Sequence, residues 1–118
     1  MIKDTHLAAG AGIAASVKRA LAAGNEARRV TVEVETIDEL QQAIEAGAGR
    51  ALLDNMDLRT MRRAVELAGG RIVLEASGGL RPGGLRAVAE TGVDCLSLGW
   101  LTHSAPAADV ALEMEAPR

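Results

Sequence analysis

A chain of 118 residues has the length of one domain, and 48% apolar with 25% charged residues is the balance of a globular fold in water. The net charge of −3, with basic residues scattered rather than blocked, argues against a nucleic-acid partner. No apolar run approaches the ~18 residues of a membrane span and no signal-peptide pattern opens the chain, so no membrane partner and a cytoplasmic location are expected. The single cysteine, Cys95, cannot form an internal disulfide and reads as a small core residue. With no Phe, no Tyr and only Trp100, the core is expected to consist of Leu, Val, Ile and Ala.

In chain order, Met1–Ile2–Lys3–Asp4 has the pattern of the last part of a strand. Gly12–Ala23 follows as an amphipathic helix with Ile13, Val17 and Leu21 inward. "VTVEVE" (Val30–Glu35) is the next strand. A helix over Ile37–Ala46 has Thr36 and Glu39 as a capping box and Gly47 as terminator. "RALLD" (Arg50–Asp54) is a strand, and Leu58–Ala68 a helix closed by Gly69–Gly70, with Arg62 and Arg63 outward. "RIVLEAS" (Arg71–Ser77) and "DCLSLG" (Asp94–Gly99) are further strands, separated by a helix that opens near Pro82 and ends at Gly92. The tail "DVALEM" (Asp109–Met114) alternates enough for an edge strand or a docking segment. Strands and helices alternating at about twenty-residue intervals predict an α/β fold of βα units on a parallel sheet.

Residues two apart in a strand share a face. Thr31, Glu33 and Glu35 therefore oppose Val30, Val32 and Val34, and Glu75 and Ser77 oppose Ile72, Leu74 and Ala76. The valine face is expected beneath the helices, and the polar face towards a barrel lumen or an open crevice. That face would gather Glu33, Glu35, Asp54 and Glu75, with only Lys3 as a nearby base. Like charges at such a site need a divalent metal, a cationic partner or bulk water. The plainest alternative is a row of solvated carboxylates on an exposed strand face.

Two consecutive strands end in glycine-marked turns, "EASGGLRPGGLRAVAE" and "LSLGWLTHS". Successive glycines allow backbone N–H groups to converge on an anion, with a helix N-terminus behind them. Ser77 adds a hydroxyl donor, and His103 is a further candidate. A pair of such turns matches the phosphate site made after the last two strands of many (β/α) barrels.

The motifs "IKDTH", "VEVET", "LLDNM", "LEASGGL" and "AETGVD…LGWLTHSAPAAD" resemble, in order and spacing, the C-terminal part of the quinolinate phosphoribosyltransferases, the carboxylating nicotinate-nucleotide pyrophosphorylases. The resemblance implies a partial (half) (β/α) barrel of parallel strands, from a type II phosphoribosyltransferase barrel that works as a dimer. It implies transfer of phosphoribose from phosphoribosyl pyrophosphate, with Mg²⁺, to quinolinate, giving nicotinate mononucleotide, pyrophosphate and CO₂ in NAD biosynthesis. Carried over by motif, Lys3, Glu33 and Asp54 would act at the reacting centre. Glu33 and Asp54 would hold the ribose hydroxyls and, directly or through water, the Mg²⁺. Lys3 would face quinolinate or pyrophosphate with Asp4 in support. Ser77, Gly78, Gly79, Gly99, Trp100 and His103 would surround the 5′-phosphate. Two positions depart from the family pattern: Thr5 stands for its Asn, and Trp100 for its usual small residue.

The expectation for residues 1–118 is the C-terminal part of the barrel domain, with the N-terminal α/β domain, the first barrel strands and their substrate-gripping arginines absent. On that reading the chain carries the phosphoribosyl-phosphate-binding half and is not expected to turn over alone. The alternatives are a non-catalytic half-barrel that self-associates through its open edge, and a paralogous transferase with another acceptor, such as the one linked to molybdenum transport.

Overall fold

A computed structural model describes residues 1–3 and 12–103. Asp4, Thr5 and the Asp109–Met114 segment lie outside the described residues. Four strands, β1 (Thr31–Val34), β2 (Arg50–Asp54), β3 (Val73–Ser77) and β4 (Cys95–Leu96), form one sheet in the order β1-β2-β3-β4, and every pair is parallel. The helices are α1 (Gly12–Ala22), α2 (Ile37–Glu45), α3 (Leu58–Ala68), α4 (Leu85–Ala89) and α5 (Trp100–His103). Each of α2, α3 and α4 connects neighbouring parallel strands, the repeating βα unit of a partial barrel. Among the described residues no helix is long and apolar enough to cross a membrane.

Local chemistry sets the boundaries. The Thr36 hydroxyl accepts from the Glu39 N–H at 3.2 Å, and the Glu39 carboxylate accepts from the Thr36 N–H at 3.0 Å, so α2 begins in a complete capping box. Asp57 caps α3 by accepting from the Thr60 N–H at 2.7 Å. That backbone hydrogen bond, first among its causes, holds the Asp57 carboxyl below its usual pKa. Gly69 ends α3 in the left-handed region at φ 53°.

The core lies between the sheet and the helices on one side of it. Val32, Val34, Ala51, Leu53, Leu74 and Ala76 point into it from the strands. Ile13 and Val17 of α1, Leu40 and Ala43 of α2, Met61, Ala64 and Ala68 of α3, and Val88 of α4 meet them. No buried side chain of this core is aromatic. Alanines on both layers let helix and strand approach closely, which takes the place of bulk in making the packing dense. Alternate strand residues leave the opposite face half-buried, as the parity of the sequence predicts.

Two expectations change. The last strand spans Cys95–Leu96 rather than Asp94–Gly99. The Asp94 carboxylate accepts from the Leu74 N–H at 2.8 Å, so its side chain occupies the edge where strand pairing would begin. After Ser97 N–H bonds to Ala76 O at 2.9 Å, the chain turns into α5. Glu35, expected in the lumen row, is exposed beyond the end of β1, where its N–H donates to Glu39 at 2.8 Å.

Candidate functional site

The register places the polar residues in layers. Glu33 of β1 pairs with Leu52 of β2, Leu52 with Glu75 of β3, and Glu75 with Cys95 of β4. One step closer to the C-terminal ends of the strands, Asp54 pairs with Ser77. Ile2 forms a parallel bridge with Val32 and packs on the core, which turns the exposed Lys3 to the side of Glu33. The sequence-predicted residues Lys3, Glu33, Asp54 and Ser77 thus share one face. Active sites of barrels lie at this end, where strand termini present side chains and loops together.

Lys3 is not the only base on that face. Arg50, at the start of β2, shares parity with Leu52 and Asp54, and its Nε stands 3.3 Å from Glu75 Oε2. The contact is an ion pair without hydrogen-bond alignment. The same guanidinium donates from Nη2 to Cys95 Sγ at 3.1 Å. The second oxygen of Glu75 accepts a very short hydrogen bond from Ser97 Oγ. Glu75 is therefore neutralised and held by strands on both sides of it, so the carboxylates do not face one another unrelieved. Cys95, expected in the core, is half-buried on the polar face under Arg50. Arg50 was legible by the two-residue period, but its position at a strand start masked it.

Glu33 has no such partner: its Oε2 is buried without a hydrogen bond among the described residues. Asp54 accepts from the amide of Asn55 at 2.8 Å. Glu33 and Asp54 stand on adjacent strands, one layer apart. Among the described residues no three metal-ligating side chains come together. Mg²⁺ is commonly held by one or two carboxylates plus substrate phosphates and water rather than by an all-protein cage. A pair of carboxylates with one unsatisfied buried oxygen fits that mode.

Beyond the ends of β3 and β4 lies a cavity of about 320 Å³. Ser77, Gly78, Gly79 and Leu80 form one wall, and Ser97, Gly99, Trp100 and His103 the other. Arg81 completes the lining. Two glycine-marked turns expected to act together do share one concavity. Gly78 and Gly79 have φ of 90° and 60°, a pair of left-handed residues that fixes the course of the turn. The turn leads into the 3₁₀ segment Pro82–Gly84 and then α4, five residues long. Such short helices carry little macrodipole, so the expected helix N-terminus contributes little here. The turn's N–H groups and the Ser77 hydroxyl are the available donors instead, since the Ser97 hydroxyl is already given to Glu75.

Asn55 was not singled out in the sequence. It is the one non-glycine residue with positive φ, 52°, among those described. Its N–H donates to Ser77 O at 3.0 Å, tying the end of β2 to the start of the glycine turn. The signal available was its type, since Asn tolerates the left-handed region better than most residues.

Residues 1–113 match the family model described as quinolinate phosphoribosyl transferase, C-terminal domain. The chain is 40% identical over 119 residues to a probable carboxylating nicotinate-nucleotide pyrophosphorylase of Methanothermobacter thermautotrophicus, covering 97% of this chain and 43% of that protein. It is 40% identical over 114 residues to the corresponding probable enzyme of Bacillus subtilis, covering 97% and 39%. The structure of the nicotinate-nucleotide pyrophosphorylase from Francisella tularensis superposes with a TM-score of 0.78 at 40% identity, over 86% of this chain and 36% of that one. The chain thus spans well under half the length of these relatives. Parallel βα units, a glycine cradle at the strand ends and a match over nearly every residue agree: the chain belongs to the quinolinate phosphoribosyltransferase family, in its C-terminal domain.

Proposed function

We propose that this chain is the phosphoribosyl-binding part of an enzyme that transfers phosphoribose to quinolinate, giving nicotinate mononucleotide, pyrophosphate and CO₂. It corresponds to the C-terminal part of such an enzyme's barrel domain. The observation that carries the reading is the cavity lined by both glycine turns, with Asp54 paired to its Ser77 wall and Glu33 one strand further along the same side of the sheet. In this reading Ser77, Gly78, Gly79, Gly99 and the residues after it, Trp100 and His103, surround the 5′-phosphate. The ribose hydroxyls then reach towards Glu33 and Asp54, whose negative charge stabilises the oxocarbenium-like carbon attacked by the ring nitrogen. Mg²⁺, arriving with phosphoribosyl pyrophosphate, supplies positive charge to the departing pyrophosphate. Lys3, on the side of Glu33, faces the pyrophosphate or a quinolinate carboxylate, with Asp4 as its support.

Trp100 lines the cavity and is the only aromatic residue, so its fluorescence reports binding without background. Titration with phosphoribosyl pyrophosphate and Mg²⁺ is expected to give a saturable change that Gly79→Glu abolishes by placing a carboxylate in the cradle. A folded protein with no response overturns the reading.

A second reading concerns assembly. Among the described residues the sheet is open at both sides, beyond the Ile2 bridge and beyond Cys95–Leu96. Open edges present unpaired N–H and C=O groups that favour pairing with another copy. Sedimentation velocity is expected to show a homodimer or larger species. A monomer at high protein concentration counts against edge pairing.

A further inference from the structure

The phosphate cradle carries a charge asymmetry that the glycines do not explain. The chain has 16 acidic residues against 13 Lys and Arg, yet no carboxylate lines the cavity. Its ionisable lining residues are Arg81 and His103, one from each wall. Arg81 stands in extended conformation, φ −125° and ψ 152°, immediately before the Pro82–Gly84 turn. It holds the N-cap position of that turn without a side-chain capping bond. Two other arginines are committed, Arg50 to Glu75 at 3.3 Å and Arg86 to Glu90 at 2.8 Å. Arg81 is exposed and enters none of the ion pairs among the described residues. A guanidinium at the rim of an acid-free cavity keeps its five donors available for whatever anion enters.

We infer that Arg81 is the ligand-gripping cation of the cradle, closing its planar fork on the outward oxygens of a phosphomonoester while the Gly78–Gly79 turn holds the inward ones. The inference rests on the phosphate reading given above and deepens it. Backbone amides and hydroxyls match the geometry of the oxygens with partial charges only. The guanidinium supplies the full charge and the paired hydrogen bonds that favour a phosphomonoester over a neutral sugar. Because it sits at the solvent edge, it can do so without a desolvation penalty of the size borne by a buried charge.

The test is a Trp100 fluorescence titration of the full chain with ribose 5-phosphate, with ribose as the uncharged control, at pH 7.5 and two salt concentrations. Wild type, Arg81→Gln and Arg81→Lys are compared, each checked for unchanged circular dichroism; the exposure of Arg81 makes folding insensitive to the change. Arg81→Gln is expected to weaken ribose 5-phosphate binding by about ten-fold or more, the size of a lost charge-assisted pair, and to flatten its salt dependence. Arg81→Lys is expected to fall between, since it keeps the charge and loses the fork. Equal affinity in wild type and Arg81→Gln overturns the role of Arg81 and leaves the cradle standing. No response to ribose 5-phosphate in folded wild type overturns both.

Discussion

Gly78→Ala is expected to remove ligand binding and to cost about 2–5 kcal/mol of stability, whereas Gly79→Ala one position later costs about 1–2 kcal/mol. Both residues have positive φ, 90° and 60°, where an L side chain meets a penalty of roughly 1–2 kcal/mol. The difference lies in the surroundings. A Cβ on Gly78 would stand 2.6 Å from Asn55 Cγ and 2.7 Å from the Asn55 backbone nitrogen. A Cβ on Gly79 would meet nothing within 4 Å. The Asn55 amide could swing aside, but its nitrogen cannot, because it donates to Ser77 O at 3.0 Å. The methyl therefore breaks the link between the end of β2 and the cradle, adding an overpacking cost of about 1–3 kcal/mol. Urea unfolding of the two variants, followed by circular dichroism, measures the difference. Equal stabilities would show that Asn55 and Gly78 are not interlocked.

Leu53→Ala is expected to cost about 3–5 kcal/mol, the upper range for a buried leucine. Leu53 is fully buried, at 0% exposure, on β2 in the middle of the sheet. Its strand neighbours are Val34 on one side and Ala76 on the other. The cost of such a substitution depends on how far the site collapses, and the strand neighbours Val34 and Ala76 offer no long side chain to move in. A domain with a total stability of about 5–15 kcal/mol would lose a large part of it. Thermal and urea unfolding would reveal the loss as a lower midpoint with an unchanged m value. A cost below about 2 kcal/mol would mean that the helices shift to close the space.

Much of the fold was written locally. The alternation of Val30, Val32 and Val34 with Thr31 and Glu33 stated which face of β1 would be buried, because a strand's side chains alternate whatever lies next to it. Thr36 with Glu39 fixed the start of α2, and Gly69 the end of α3, since caps are satisfied within one turn of backbone. The Gly78–Gly79 turn also announced itself, because positive φ is a local demand. The resemblance of whole motifs then supplied a chemistry that no single residue would have carried.

What the sequence determined, then, was its elements, the two faces of its sheet and the residue types at the strand ends. Tertiary structure decided their partners. Arg50 and Glu75 are 3.3 Å apart because β2 and β3 lie side by side in one register. A shift of that register by two residues would keep every face and separate the pair. Cys95 left the core for the polar face by the same pairing, and Asp94 shortened β4 by occupying the Leu74 N–H. The meeting of the two glycine turns in one cavity, with Arg81 at its rim, depends on β3 and β4 being neighbours. Periodicity is a property of one segment, whereas contact between segments depends on the packing that aligns them.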